Sequence, residues 1–130
     1  MTMMAASRGM AEAVFQMSHL GPAPIDHAYL ARFTLGNLEL EQEVLDLFAQ
    51  SAPAYVESLK GADSLRAWRE AAHTLKGSAR SVGARAVAAL AEQAEQLEGA
   101  GDPAAGAVVE ALSASVDDVR AYIAGLVAAR

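Results

Sequence analysis

From Leu38 onward the positions Leu40, Val44, Leu47, Phe48, Ser51, Tyr55, Val56 and Leu59 recur at three- and four-residue intervals, with Glu39, Glu41, Glu43 and Asp46 between them. That spacing predicts an amphipathic helix of about six turns, ended by Gly61. Pro53 lies inside the pattern and should bend it, because proline removes a backbone donor and crowds the preceding turn. A second run, Leu65, Trp68, Ala72, Leu75, Ala79 and Val82, follows a cap at Asp63 or Ser64 and stops at Gly83, which suits the left-handed C-terminal position. A third starts near Ala84, with Val87, Leu90, Ala94 and Leu97 inward and Glu92, Glu95 and Glu98 outward, and Gly99-Ala100-Gly101 closes it. The fourth carries Val108, Leu112, Val116, Val119, Ile123 and Leu126 and opens on Asp102-Pro103, an N-cap followed by proline at the first helical position.

Ahead of these helices, Gly21-Pro22-Ala23-Pro24 is a break, and Asp26 can cap a short helix that runs to about Leu35 and stops at Gly36-Asn37. Residues 1–20 show only weak periodicity, at Met10, Val14 and Met17. The expected organisation is an N-terminal tail over residues 1–24, helical in part, and one domain over residues 25–130. Four long helices joined by short glycine-containing loops imply antiparallel neighbours. The expected fold class is therefore all-α, an antiparallel up-down four-helix bundle with an extra short N-terminal helix.

Composition narrows the partners more than the fold. The chain has 130 residues, 53% of them hydrophobic, few aromatics and 4 prolines, which favours packed helices in a single domain. It has no cysteine, which excludes disulfides and thiolate metal sites. A formal net charge of -6 argues against nucleic acid as a partner. Arg8 and Glu12 leave the N-terminus a poor secretory signal, and Asp117, Asp118 and Arg120 interrupt the most apolar helix, so no membrane association and a cytoplasmic location are expected.

One helix face departs from this ordinary picture. On a wheel of about 100° per residue centred on His73, the core positions of the second run fill an arc of roughly 100°, while Arg66, Arg69, Lys76, Gly77 and Arg80 fall within roughly 60° of the histidine. Four of the ten basic residues of an acidic chain thus share one face. Glu70 alone is near, and it is read as pointing away, so the stripe calls for a compensating anion. Gly77, four residues after His73, costs about 1 kcal/mol relative to alanine in a helix interior. Its missing side chain would admit either a partner beside the imidazole or a neighbouring helix. An imidazole with a near-neutral reference pKa can act as an unprotonated nucleophile, and Lys76 could offset the charge of a phosphoryl group on it. His19 and His27 lack such a setting and are read as structural or solvent-exposed.

The sequence His73, Leu75, Lys76, Gly77 and small Ser78, followed by Gly83-Ala84, Leu90 and Leu97-Glu98, resembles the histidine-containing phosphotransfer (HPt) domain of bacterial two-component phosphorelays. The upstream helix with Leu47-Phe48 and Ala52-Pro53 is similar too, so the likeness covers roughly residues 25–126. The resemblance implies that His73 accepts a phosphoryl group from a receiver-domain aspartate and passes it to another receiver. It further implies that Lys76 steadies the phosphoryl group, that Gly77 gives the receiver access, and that the Mg2+ needed for transfer sits on the receiver, with no cofactor or metal held by this chain. Arg66, Arg69, Arg80 and Ser78 are the expected partner-binding residues, with Arg69 and Arg80 steering the acidic receiver pocket. The partners expected are response-regulator receivers, including those of a hybrid histidine kinase, and the chain itself is expected to be a monomer.

Two rivals stand against this reading. A histidine-kinase module would carry an acidic residue directly after the histidine, where Thr74 stands, and no glycine-rich nucleotide loop occurs, so autonomous ATP-dependent kinase activity is not expected. A non-catalytic helical adaptor that binds receivers without phosphotransfer shares the same fold, since function resides in the site. The three histidines lie on separate segments, without the i,i+4 ligand pair of a metal site.

Overall fold

The computed structural model describes residues 23–129. Residues 1–22 of the expected tail, with its Met10, Val14 and Met17 and the histidine at position 19, lie outside the described residues. Five helices and no strand make up the rest: α1 (His27–Thr34), α2 (Leu38–Lys60), α3 (Leu65–Val82), α4 (Arg85–Glu95) and α5 (Ala105–Ala129). Helix α3 packs against α2 and α4, α5 packs against the same two helices, and α1 lies against α2 and α3.

Capping chemistry fixes most boundaries. Asp26, Asn37 and Ser64 accept the backbone N–H of Tyr29, Leu40 and Ala67, each at 3.0 Å. Asp26 and Ser64 are N-caps the sequence predicts, whereas Asn37, read as the stop of the short first helix, also caps the next one. Helix α2 continues through Pro53. Helix α1 stops with Leu35 itself in the left-handed region at φ 54°, one residue earlier than Gly36, and the Leu35 side chain is 91% exposed.

Gly83 does what only glycine can. Its φ is 76°, and a Cβ there would lie 2.8 Å from the Asp26 carbonyl oxygen. The close approach lets the Asp26 N–H donate to the Gly83 carbonyl at 2.9 Å, while Arg85 pairs with the Asp26 carboxylate at 2.5 Å. The start of α1 is thereby fastened to the α3–α4 corner.

The core contains Leu45, Phe48, Ala52, Val56 and Leu59 of α2, Trp68, Ala72, Leu75 and Ala79 of α3, Val87, Ala91 and Ala94 of α4, and Leu112, Val116, Val119 and Ile123 of α5. Trp68 is buried with its indole N–H donating to the Ala94 carbonyl at 2.6 Å, which satisfies the one polar atom of the largest core side chain. The core corrects the expected face of α2: Leu47 and Leu40 are exposed and Leu45 is fully buried. Helix α4 ends at Glu95, before the expected glycines, and α5 begins at Ala105. Asp102 serves the connecting turn instead, its carboxylate accepting the backbone N–H of Ala104 and Glu98, which holds it below the usual carboxylate range.

Among the described residues no helix is long and apolar enough to cross a membrane.

Candidate functional site

Helix α3 is the most sharply two-sided element. Trp68, Ala71, Ala72, Leu75, Ala79 and Val82 are buried, whereas Arg66, Arg69, Glu70, His73, Thr74, Gly77 and Arg80 are exposed. A 3.6-residue period with small alanines on the core side sets α3 close to α4, and this brings the acidic edge of α4 against the basic edge of α3.

Glu95, at the end of α4, joins the two helices. Its Oε1 lies 3.3 Å from His73 Nδ1, and its Oε2 lies 2.7 Å from the Lys76 ammonium. The His73 side chain is 71% exposed, the Glu95 side chain 22% and the Lys76 side chain 13%. Lys76 is thus folded down onto the carboxylate and not extended into solvent. Oε2 is buried, and the Lys76 ammonium 2.7 Å away is its hydrogen-bonding counter-charge. The Lys76 ammonium holds the Glu95 carboxyl below the usual carboxylate range, burial opposes this, and His73 adds to the lowering. An ionised Glu95 accepts the Nδ1–H of His73, and that tautomer leaves the Nε2 lone pair free.

The surroundings of the ring are open. A groove of about 800 Å³ is lined by Leu65, Arg66, Arg69, Glu70, His73, Thr74 and Glu95. Gly77 borders the same face, and a Cβ built on it meets nothing within 4 Å. Close packing of a neighbouring helix among the described residues therefore does not account for the glycine.

The anions that the basic stripe calls for come from the protein itself. Arg66 pairs with Glu70 at 3.0 Å, which corrects the reading of Glu70 as pointing away, and Arg80 reaches Glu92 at 3.7 Å. Glu95 takes the charge of Lys76. Arg69 is exposed and makes no ion pair among the described residues. Ser78 is half-buried and its carbonyl, like that of Gly77, accepts the Ser81 hydroxyl.

The sequence pattern anticipates His73, Lys76, Gly77, Arg66, Arg69 and Arg80 on one face, and the structure brings them there. It misses Glu95, read as outward with Glu92 and Glu98. The usable signal is its position beside the core residue Ala94, at the edge of α4 that must face the basic edge of α3. No group of three or more histidine, aspartate or glutamate side chains that could hold a metal ion occurs among the described residues.

A family model for the Hpt domain matches residues 43–122, from the second turn of α2 into α5, with the whole of α3 and α4. This chain belongs to the Hpt domain family. Neither a curated protein nor a solved structure matches it. At the family level, an Hpt domain means histidine phosphotransfer within phosphorelays of two-component systems and interaction with response-regulator receivers.

Proposed function

We propose that His73 of this Hpt domain accepts a phosphoryl group from the aspartyl phosphate of one receiver domain and passes it to the aspartate of another. The observation that carries this reading is an exposed imidazole with Nδ1 engaged by Glu95, Nε2 free, and the bare backbone of Gly77 one turn away. In the accepting step the Nε2 lone pair forms the N–P bond as the acyl P–O bond breaks, and the receiver recovers its carboxylate. The Nδ1 proton stays in place, so the phosphorylated ring carries a positive charge, which the Glu95 carboxylate stabilises. The return step reverses these bonds toward a second receiver.

In this reading Lys76 works through Glu95, because the 2.7 Å ion pair fixes the carboxylate that orients the ring. Among the described residues Glu95 is the carboxylate paired with His73, it is already paired with Lys76 as well, and Glu70 is paired with Arg66, so the residues present do not fit a resident Mg2+. The Mg2+ of the transfer would be held by the receiver. Arg66, Arg80 and Ser78 belong to the receiver footprint, with the exposed guanidinium groups facing its acidic pocket.

The same reading takes α2–α5 as an up-down antiparallel bundle. In support, the connections at residues 61–64, 83–84 and 96–104 are short, and α3 and α4 pair in opposite order, Arg80 with Glu92 and Lys76 with Glu95. A bundle closed within one chain suits a monomer acting in the cytoplasm, with receivers of a hybrid kinase among its donors.

The test is transfer of labelled phosphate from a panel of phosphorylated receivers to the wild type and to His73→Gln. Acid-labile label on the wild type alone is expected. Receiver binding without label on the wild type would replace phosphotransfer by an adaptor role.

A further inference from the structure

Apart from the chemistry at His73, we infer that the apolar corner between α1 and α2 is the docking surface for this chain's own residues 1–22, which lay Met10, Val14 and Met17 against Phe33, Leu35 and Leu38.

Phe33, Leu35, Leu38 and Leu40 are exposed by 63, 91, 63 and 40%, and all four fall within residues 33–40. The other large apolar side chains left exposed among the described residues, Leu47, Leu65 and Val127, stand singly along the chain. Single apolar residues are ordinary on a protein surface, whereas a cluster marks a contact. The Asn37 N–H donates to the Thr34 carbonyl at 3.0 Å and closes the turn, so Phe33 and Leu38 flank it. The Phe33 ring stands edge-on to Tyr29 with centroids 5.2 Å apart, which holds it in place on α1.

Leu35 adds a second kind of observation. Its φ of 54° lies in the left-handed region, which glycine or asparagine enters at less cost than leucine. With 91% of the residue exposed, packing among the described residues does not offset that strain. A leucine here is stabilising only when something covers it.

The chain that precedes Ala23 has the right chemistry and the right attachment. Residues 1–22 hold all five methionines, together with Val14, Phe15 and Leu20. Met10, Val14 and Met17 follow one another at four- and three-residue spacing, and methionine adapts to irregular apolar surfaces. The start of α1 is fastened to Gly83 through Asp26, and the 8 residues of α1 put the corner about 12 Å from that start. Gly21-Pro22-Ala23-Pro24 breaks the chain just before α1, so the segment can turn back along it. Tethered this closely, the segment needs little intrinsic affinity to stay bound. Charge favours it over a second copy of the chain. Arg8 and Glu12 are its only charged side chains and cancel, whereas two whole chains would bring net charges of -6 together.

The full chain offers a direct test. Its methionines all lie in residues 1–22, so 13C-methyl methionine reports on that segment alone, with Met10 and Met17 assigned through Met10→Leu and Met17→Leu. It has no cysteine, so one added cysteine places one nitroxide. The nitroxide is attached at Glu39→Cys, beside the corner, or at Glu110→Cys, in the first half of α5; both positions are exposed, and α5 meets α1 through Tyr122 in its second half.

The label at position 39 is expected to remove most of the Met10 and Met17 methyl intensity, and the label at position 110 little of it. Leu35→Asn combined with Phe33→Ser should restore the intensity, since asparagine suits the left-handed turn and both sites are exposed. Mixing nitroxide-bearing chains that lack 13C with 13C-labelled chains that lack nitroxide should cause no loss. Equal loss from both positions, no loss from either, or a loss from position 39 that survives the double variant would overturn the proposal. Loss in the mixture would assign the corner to a second copy and overturn it as well.

Discussion

Two histidines of this chain each meet a glutamate, in opposite settings. His27 lies between α1, α2 and α5: its Nε2 shares a 2.5 Å hydrogen bond with the Tyr122 hydroxyl, and its Nδ1 faces the buried Glu41 at 3.8 Å. Both nitrogens are engaged across three helices, and the phenol is itself partly buried, which pushes its ionisation up. His73 meets its glutamate with one nitrogen and leaves the other in an open groove. A carboxylate beside an imidazole thus says little by itself. What separates a fastening from a phosphoryl acceptor is whether the second nitrogen has a partner, because only a free lone pair can attack phosphorus.

The largest expected effect breaks the comparison by exchanging the two roles. His73→Gln should abolish acid-labile phosphorylation and change stability by no more than about 0.5 kcal/mol, as an exposed site does. His27→Gln should keep phosphotransfer and lower stability by about 1 kcal/mol through loss of its hydrogen bond to Tyr122. Labelled transfer and chemical denaturation of both variants check this directly.

A smaller effect should separate the two glutamates. Glu95→Gln removes the charge that fixes the His73 tautomer and should slow phosphoryl acceptance about ten-fold, whereas Glu41→Gln should leave that rate unchanged. Stopped transfer assays with one receiver measure both. Glu95 also has a pH signature: because its carboxyl is held low, its contribution to stability is present above the ordinary carboxylate range and is lost as pH falls through the lowered value.

Gly77→Ala sharpens the contrast between chemistry and access. The added methyl meets nothing among the described residues, so the variant should be more stable by about 1 kcal/mol. Transfer from receivers should nevertheless fall several-fold, while phosphorylation by phosphoramidate stays at the wild-type rate. Equal receiver transfer in wild type and variant would remove the access role from Gly77.

The smallest effect belongs to the His27 side. With the Tyr122 phenol raised by burial, the folded protein keeps its proton longer than the unfolded chain, so stability declines as pH rises from the free phenol value of about 10 through the raised one. Tyr122→Phe should flatten that alkaline decline by a few tenths of a kcal/mol. Thermal unfolding between neutral and alkaline pH, compared for the two proteins, reads the difference.

The helices and the caps at Asp26 and Ser64 were legible because they rest on local rules: a short polar residue before an apolar run, a glycine after it, and a 3.6-residue period between. The facing of α2 was less so. Leu40 and Leu47 fit the period as well as Leu45 does, and only the positions of α3 and α5 decide that Leu45 is buried and Leu47 exposed. Glu41 was invisible as a buried residue for the same reason, since its histidine partner comes from another helix. On α3 the wheel anticipated His73, Lys76 and Gly77 on one face, because all three lie on one helix. Glu95 was out of reach of that method: its role exists only where the edge of α4 meets the edge of α3, and a helix read alone has no such edge.

The measurement that tests the central claim most directly is 15N NMR of the imidazole rings before and after phosphorylation by a receiver. The account predicts phosphorus coupling at Nε2 of His73, a retained Nδ1 proton on the same ring, and unchanged signals from His27. Phosphorus coupling at Nδ1 of His73, or on any other histidine, would contradict it.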